Sequence, residues 1–202
     1  MHVRISIVTG ATDIEAGLGF IRDQALPQLQ QQKGFRGLTA SGDRSAGIVN
    51  VLSLWDSEAD LDASESTADK ARSDAVRRMG GQVRVERYEQ TISEVGETPP
   101  GPGAKLHIRH VKMAPARIDD NLTFFRENVL PEIKSTPGFL GVRLLTNRST
   151  GEARVGTIWA DEDALKGALE RAEQRRATAR ARGVEFGDEQ SFEVLFASMR
   201  AT

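Results

Sequence analysis

The feature that most constrains this chain is an internal copy of itself. FIRDQALPQLQQQKGFRGLTASGDRSAG, starting at Phe20, returns 104 residues later as FFRENVLPEIKSTPGFLGVRLLTNRSTG, starting at Phe124. Without a gap, residues 14–95 align with 118–199, and 21 of those 82 positions are identical. The identities include Arg22/Arg126, Leu26/Leu130, Pro27/Pro131, Gly34/Gly138, Phe35/Phe139, Gly37/Gly141, Arg44/Arg148 and Trp55/Trp159. A period this long is that of a duplicated domain, because solenoid repeats run to only about 20–50 residues. The first strands align better at a shift of 105, which pairs His2-Val3-Arg4 with His107-Ile108-Arg109. Between the copies, GETPPGPGAK (96–105) holds three prolines and three glycines. Such a segment continues neither a helix nor a central strand. The expected organisation is a first repeat over 1–95, a linker over 96–105 and a second repeat over 106–202.

Within each copy the apolar periodicity changes in the same order. Val3, Ile5 and Ile7 alternate with polar residues, as in a strand. Ile14, Leu18, Ile21, Ala25 and Leu29, and likewise Ile118, Leu122, Phe125, Val129 and Ile133, recur at helical spacing. Thr12 and Glu15 have the spacing of a capping box. Pro27 and Pro131 fall inside these helices and are expected to kink them. Gly34 and Gly138 suit the left-handed position after a helix. Leu38–Ser41 and Ile48–Trp55 flank the turn-rich SGDRSAG as a hairpin, and TNRSTG has the same setting in the second copy. Ser57 and Asp161 start second helices. Last strands are expected at Val85–Val95 and Gln190–Met199. The order βαββαβ is that of a ferredoxin-like unit, whose sheet carries helices on one face only. The open face needs a cover, and the second copy is the simplest one. The expected fold is α+β: tandem ferredoxin-like repeats forming an intramolecular dimeric α/β barrel.

The helix ending in LP, the turn GFxG, the hairpin and the W-x-x-E entry to a helix together resemble the antibiotic biosynthesis monooxygenase-like family. Here they read LPQL, GFRG and WDSE, then LPEI, GFLG and WADE. The resemblance spans nearly the whole chain, twice. It implies a dimeric α/β barrel, normally made by two chains, and a cofactor-independent oxygenation of a flat, partly apolar molecule. It also admits a non-catalytic ligand-binding or stress-related barrel, or a haem-handling protein. Many relatives carry a His about nine residues after the Trp, where this chain has Ser64 and Ala168. No cofactor is therefore expected, with haem ranked as the lesser alternative.

Candidate site residues follow from chemistry and from differences between the copies. Trp55 and Trp159 offer aromatic walls for a flat substrate. His107 and His110, three apart on a strand, point to opposite faces and do not share a metal; no metal site is expected. Where the first copy has Asn50 and Thr39, the second has Arg154 and Arg143, alternating with apolar neighbours. A strand arginine taken from water needs a partner, and an anionic or enolate ligand supplies one. The expected catalytic groups are Arg154, Asn50 and His110, and the expected substrate-binding groups are Trp55, Trp159, Arg143 and His107.

Composition narrows the partners. The chain has no cysteine, so it has no disulfides and no thiolate nucleophile. Its net charge of −2 provides no field for nucleic acid or an anionic membrane. The basic run at 170–183 is interrupted by acidic residues and reads as a solvated helix face. No apolar run reaches the roughly 20 residues of a bilayer span, and the N-terminus lacks the apolar core of a signal peptide. The expectation is a cytoplasmic protein with a small-molecule ligand, without nucleic-acid or membrane partners, paired within itself and open to further homodimerisation.

Overall fold

The computed structural model describes residues 1–199, apart from the side chains of Gln174 and Arg175 in the basic run. The first repeat contains β1 (His2–Thr9), α1 (Ile14–Phe20), α2 (Leu26–Gln30), β2 (Phe35–Asp43), β3 (Ile48–Trp55), α3 (Glu58–Ala63), α4 (Glu65–Met79) and β4 (Gln82–Val95). The second contains β5 (Lys105–Lys112), α5 (Ile118–Phe124), α6 (Leu130–Lys134), β6 (Phe139–Thr146), β7 (Glu152–Trp159), α7 (Glu162–Ala181) and β8 (Glu185–Met199). Main-chain hydrogen bonds join the strands into a closed barrel in the order β1-β3-β2-β8-β5-β7-β6-β4.

The chain divides into two compact units whose limits are offset from the repeats. Unit 1 comprises Met1–Tyr88 and Glu193 onward, and unit 2 comprises Glu89–Phe192. The offset comes from β4 and β8, which at 14 and 15 residues are far longer than the usual five or six. Inside unit 1, Glu193–Met199 pairs antiparallel with Gly37–Gly42 of β2. Inside unit 2, Glu89–Val95 pairs with Gly141–Thr146 of β6. Each of these two strands begins earlier than expected, at Gln82 and Glu185. In β8 the opening residues 185–189 are mostly exposed and three of the five are charged, so hydropathy gives them no strand signature. In β4 the alternation of Val83 and Val85 with polar neighbours carries the strand period back to Gln82 on an exposed stretch.

Each unit packs its helices on one face of its sheet. In unit 1, Phe20, Leu26, Phe35, Leu38, Trp55 and Met79 belong to one buried cluster. In unit 2, Ile118, Leu122, Val142 and Leu144 form one cluster, and Ile133, Trp159 and Leu165 another. Pro27 and Pro131 are accommodated by a π-helical turn just before them, Ile21–Ala25 and Phe125–Val129. The N–H of Leu26 reaches the Ile21 carbonyl, and that of Leu130 reaches Phe125. The wider turn absorbs the bond each proline cannot donate. Ser57 and Asp161 cap their helices as the sequence suggests, accepting from the N–H groups of Asp60 and Ala164. Gly34 and Gly138 adopt φ of 74° and 79°.

Two expectations are corrected. The cap of α1 is Asp13, which accepts from Ala16 N–H, while the Thr12 hydroxyl donates to the Met79 carbonyl. The Thr12/Glu15 capping box therefore does not form. The first strands align at a shift of 103, not 105. Arg4 stands opposite Ser53 on β3, and His107 stands opposite Thr157 on β7. Since Ser53 and Thr157 are equivalent at 104, Arg4 is the counterpart of His107. A slip of two residues keeps the same strand face against the helices, so it is the cross-strand register with β3 and β7, not the face, that overrides the His-x-Arg likeness.

Candidate functional site

A cavity of about 170 Å³ lies within unit 2, between the helix-covered face of its sheet and the helices α5, α6 and α7. Its walls are mainly apolar: Phe124, Phe125, Val129, Leu144, Val155 and the Trp159 indole all face it. Five polar or charged side chains break that surface: His107 and Arg109 from β5, Thr157 from β7, Asn121 from α5 and Arg176 from α7.

His107 is buried, at 7% exposure. Its Nδ1 lies 3.3 Å from the Ser191 hydroxyl, and its Nε2 lies 3.7 Å from a Glu189 carboxylate oxygen. Burial, with Arg109 and then Arg176 nearby, pushes its pKa down to about 4. The ring is therefore neutral at physiological pH, because losing water and facing two guanidinium groups outweighs one carboxylate. Arg109 is ion-paired with Glu189, and its own pKa is lowered by burial and by Arg176. Arg176 approaches the same carboxylate at 3.7 Å. Trp159 meets Phe139 edge-on at 6.0 Å and donates its indole N–H to the Thr157 hydroxyl at 2.9 Å. Asn121 is 7% exposed, and neither its amide nitrogen nor its oxygen has a hydrogen-bond partner.

The matching space in unit 1 is about 50 Å³. Two side chains account for the difference. Arg4, at the His107 position, is 2% exposed and spans the interior. It donates to the Ser64 hydroxyl (3.1 Å), the Leu61 carbonyl (2.7 Å) and the Glu65 carboxylate (2.7 Å), and lies 5.8 Å from the Trp55 ring centre. Met79, fully buried at the end of α4, lies so close to Gly17 that an added Cβ there would be 2.1 Å from its methyl. In unit 2 the positions of Met79 and Gly17 are held by Gly183 and Asn121. A filling side chain is absent, and a polar one projects into the space it leaves.

The residues singled out by sequence are divided between settings. Trp159 and His107 line the cavity of unit 2. Trp55, fully buried against Phe35 and bonded to Ser53, is not among the residues lining the smaller space of unit 1. His110 pairs across strands with Arg154, which pairs with Leu145, so all three share the sheet face away from the cavity. Arg143 is on that face too, opposite Gly156, and burial lowers its pKa. Arg154 is 3% exposed. Asn50 is buried in unit 1, opposite Ser41 and Ile7, on the face away from the helices. Sequence reading missed Asn121, Arg109, Arg176 and Thr157. The signal for Asn121 in the sequence is its exchange with Gly17 between the copies. Among the described residues, no group of three or more His, Asp or Glu is placed to hold a metal, and no helix is long and apolar enough to cross a membrane.

No family model matches the chain. Two uncharacterized proteins of Mycobacterium tuberculosis are similar to it: one is 27% identical over 188 residues, 93% of this chain and 84% of that protein. The other is 29% identical over 209 residues, 98% of this chain and 88% of that protein. Among solved structures, a candidate monooxygenase from Fusobacterium nucleatum superposes with a TM-score of 0.72 at 11% identity, over 98% of this chain and 94% of that one. An anthrone oxidase-like protein gives 0.66 at 15% identity, over 98% and 92%. A ferredoxin-fold protein related to antibiotic biosynthesis monooxygenases, from Listeria monocytogenes, gives 0.51 at 13%, over 95% and 94%.

Proposed function

We propose, from the premise that the chain has the ferredoxin-like barrel fold of these monooxygenase-related proteins, that unit 2 binds a flat, partly apolar small molecule and oxidises it with O₂. The observation that carries this reading is the cavity itself, with aromatic walls broken by a few polar groups from both the sheet and the helices. The substrate this suits has an acidic C–H conjugated to a carbonyl or phenol. Removing that proton leaves a carbanion whose charge spreads over the rings. The guanidinium groups of Arg109 and Arg176 supply a positive field for that charge. The neutral His107 imidazole is able to accept the proton. The carbanion passes one electron to O₂, the radical pair joins as a hydroperoxide, and loss of water leaves a carbonyl. Overall, a CH₂ group and O₂ become C=O and H₂O. Arg154, His110 and Asn50 take no part here, because they occupy the other faces of their sheets.

A second reading is binding without chemistry. It is favoured by the low His107 pKa of about 4, which makes the ring a weak base until an anion forms beside it. For haem, the wall at the expected ligand position is the Ala168 methyl, which does not bind iron. The only imidazole on the cavity wall is His107, already engaged by Ser191 and facing Glu189. An axial ligand would have to come from the His107 Nε2, which the Glu189 carboxylate faces at 3.7 Å, so the residues present fit haem poorly.

Anthrone under air tests the readings. The oxygenase reading expects saturable O₂ uptake with anthraquinone formed, lost in His107→Ala and weakened in Trp159→Phe. Binding without O₂ uptake selects the second reading, and neither binding nor uptake refutes both. A haemin titration with no saturable Soret change supports the exclusion of haem.

A further inference from the structure

Asn121 is the least explained side chain of unit 2. It is 7% exposed, it lines the cavity, and both ends of its amide lack a partner. A buried unpaired amide is costly, and folded chains rarely keep one for packing alone. The other copy shows that the position does not require an amide, since Gly17 stands there. In unit 1 that glycine is needed because Met79 fills the space beyond it. In unit 2 Gly183 replaces that methionine, so the Asn121 amide faces the opened volume. An apolar residue at 121 would suit these walls better if the cavity served apolar contact only.

We propose that Asn121 is the specificity-determining residue of this cavity, and that it selects planar fused-ring ligands carrying a hydrogen-bond acceptor and a donor side by side on one edge, as in a cyclic amide. On one edge a primary carboxamide presents its oxygen acceptor and one of its two N–H donors in a common plane. An adjacent carbonyl and ring N–H meet both at once, while Phe124, Phe125 and Trp159 cover the ring faces. A ligand with only one of these groups leaves half of the amide unpaired, and a site built this way rejects such analogues strongly. This inference rests on the cavity being the ligand site and adds which edge it reads.

The test is equilibrium dialysis of the full chain with three compounds of similar shape: 2-quinolone (acceptor and donor), quinoline (acceptor only) and naphthalene (neither). The expected result is a preference for 2-quinolone over quinoline of about tenfold or more. Asn121→Leu should abolish that preference while naphthalene still binds. Asn121→Gly, the residue of the other copy, should do the same and guards against a folding fault in the first variant. Equal affinity for all three in the parent chain, or a preference unchanged in both variants, overturns the role of Asn121 and leaves the cavity as ligand site. If none of the three compounds binds, the cavity reading falls, and this inference with it.

Discussion

Acidification should destabilise this protein through one imidazole. His107 has a folded pKa of about 4 against 6.5 for the free side chain. The unfolded chain therefore takes up a proton between these values that the folded chain refuses. Stability is fully present above pH 6.5 and is lost as pH falls toward 4. The gap of roughly 2.5 units corresponds to about 3 kcal/mol in all. Between pH of about 7.5 and about 5, the share of His107 is about 2 kcal/mol. Urea denaturation of the parent and of His107→Gln at both pH values isolates it. The glutamine keeps a polar side chain that does not titrate, so background from other groups cancels in the double difference. The groups facing the ring are Arg109, Arg176 and Glu189, and all three remain in the variant. The parent should lose about 2 kcal/mol more than the variant. The imidazole proton resonances should stay at their neutral positions down to a pH of about 5. Equal losses in the two proteins, or an imidazole titrating near 6.5, would refute the reasoning that burial beside two arginines holds this ring neutral.

Arg4→Met should destabilise unit 1 by about 3 kcal/mol in chemical denaturation, since it removes three hydrogen bonds from a filled interior; a neutral result would mean that hydrophobic replacement offsets the lost network. Ala172→Leu, on the wall of the unit 2 cavity, should abolish ligand binding while the melting temperature holds or rises, as a void is filled. Gly151→Ala should cost about 3 kcal/mol, because φ there is 75° and the new Cβ would sit 1.8 Å from the Met113 carbonyl oxygen. Gly167→Ala, with open space around it on α7, should instead stabilise by up to about 1 kcal/mol. Thermal melts of the two glycine variants side by side check both.

What the sequence determined by itself was mostly local. The duplication shows on comparing the two halves of the sequence, and the order of elements, the caps at Ser57 and Asp161 and the left-handed glycines at 34 and 138 follow from short-range chemistry: periodicity, side-chain capping and backbone sterics. The π-helical turns before Pro27 and Pro131 were legible as a disturbance, although not in their form. What only the tertiary structure decided depends on cross-strand register and on which volumes are filled. His2-Val3-Arg4 and His107-Ile108-Arg109 look alike, yet pairing with β3 and β7 sets Arg4 against His107. The early start of β8 was hidden because its opening residues are mostly exposed and three of the first five are charged. The candidate site is half legible in the sequence: Trp159 and His107 stand out by residue type, and Asn121 does not. Its meaning arises from three residues far apart in sequence, Gly17, Met79 and Gly183. Whether a helix position faces a filled or an open space is a property of packed volume, and volume is summed in three dimensions rather than along the chain.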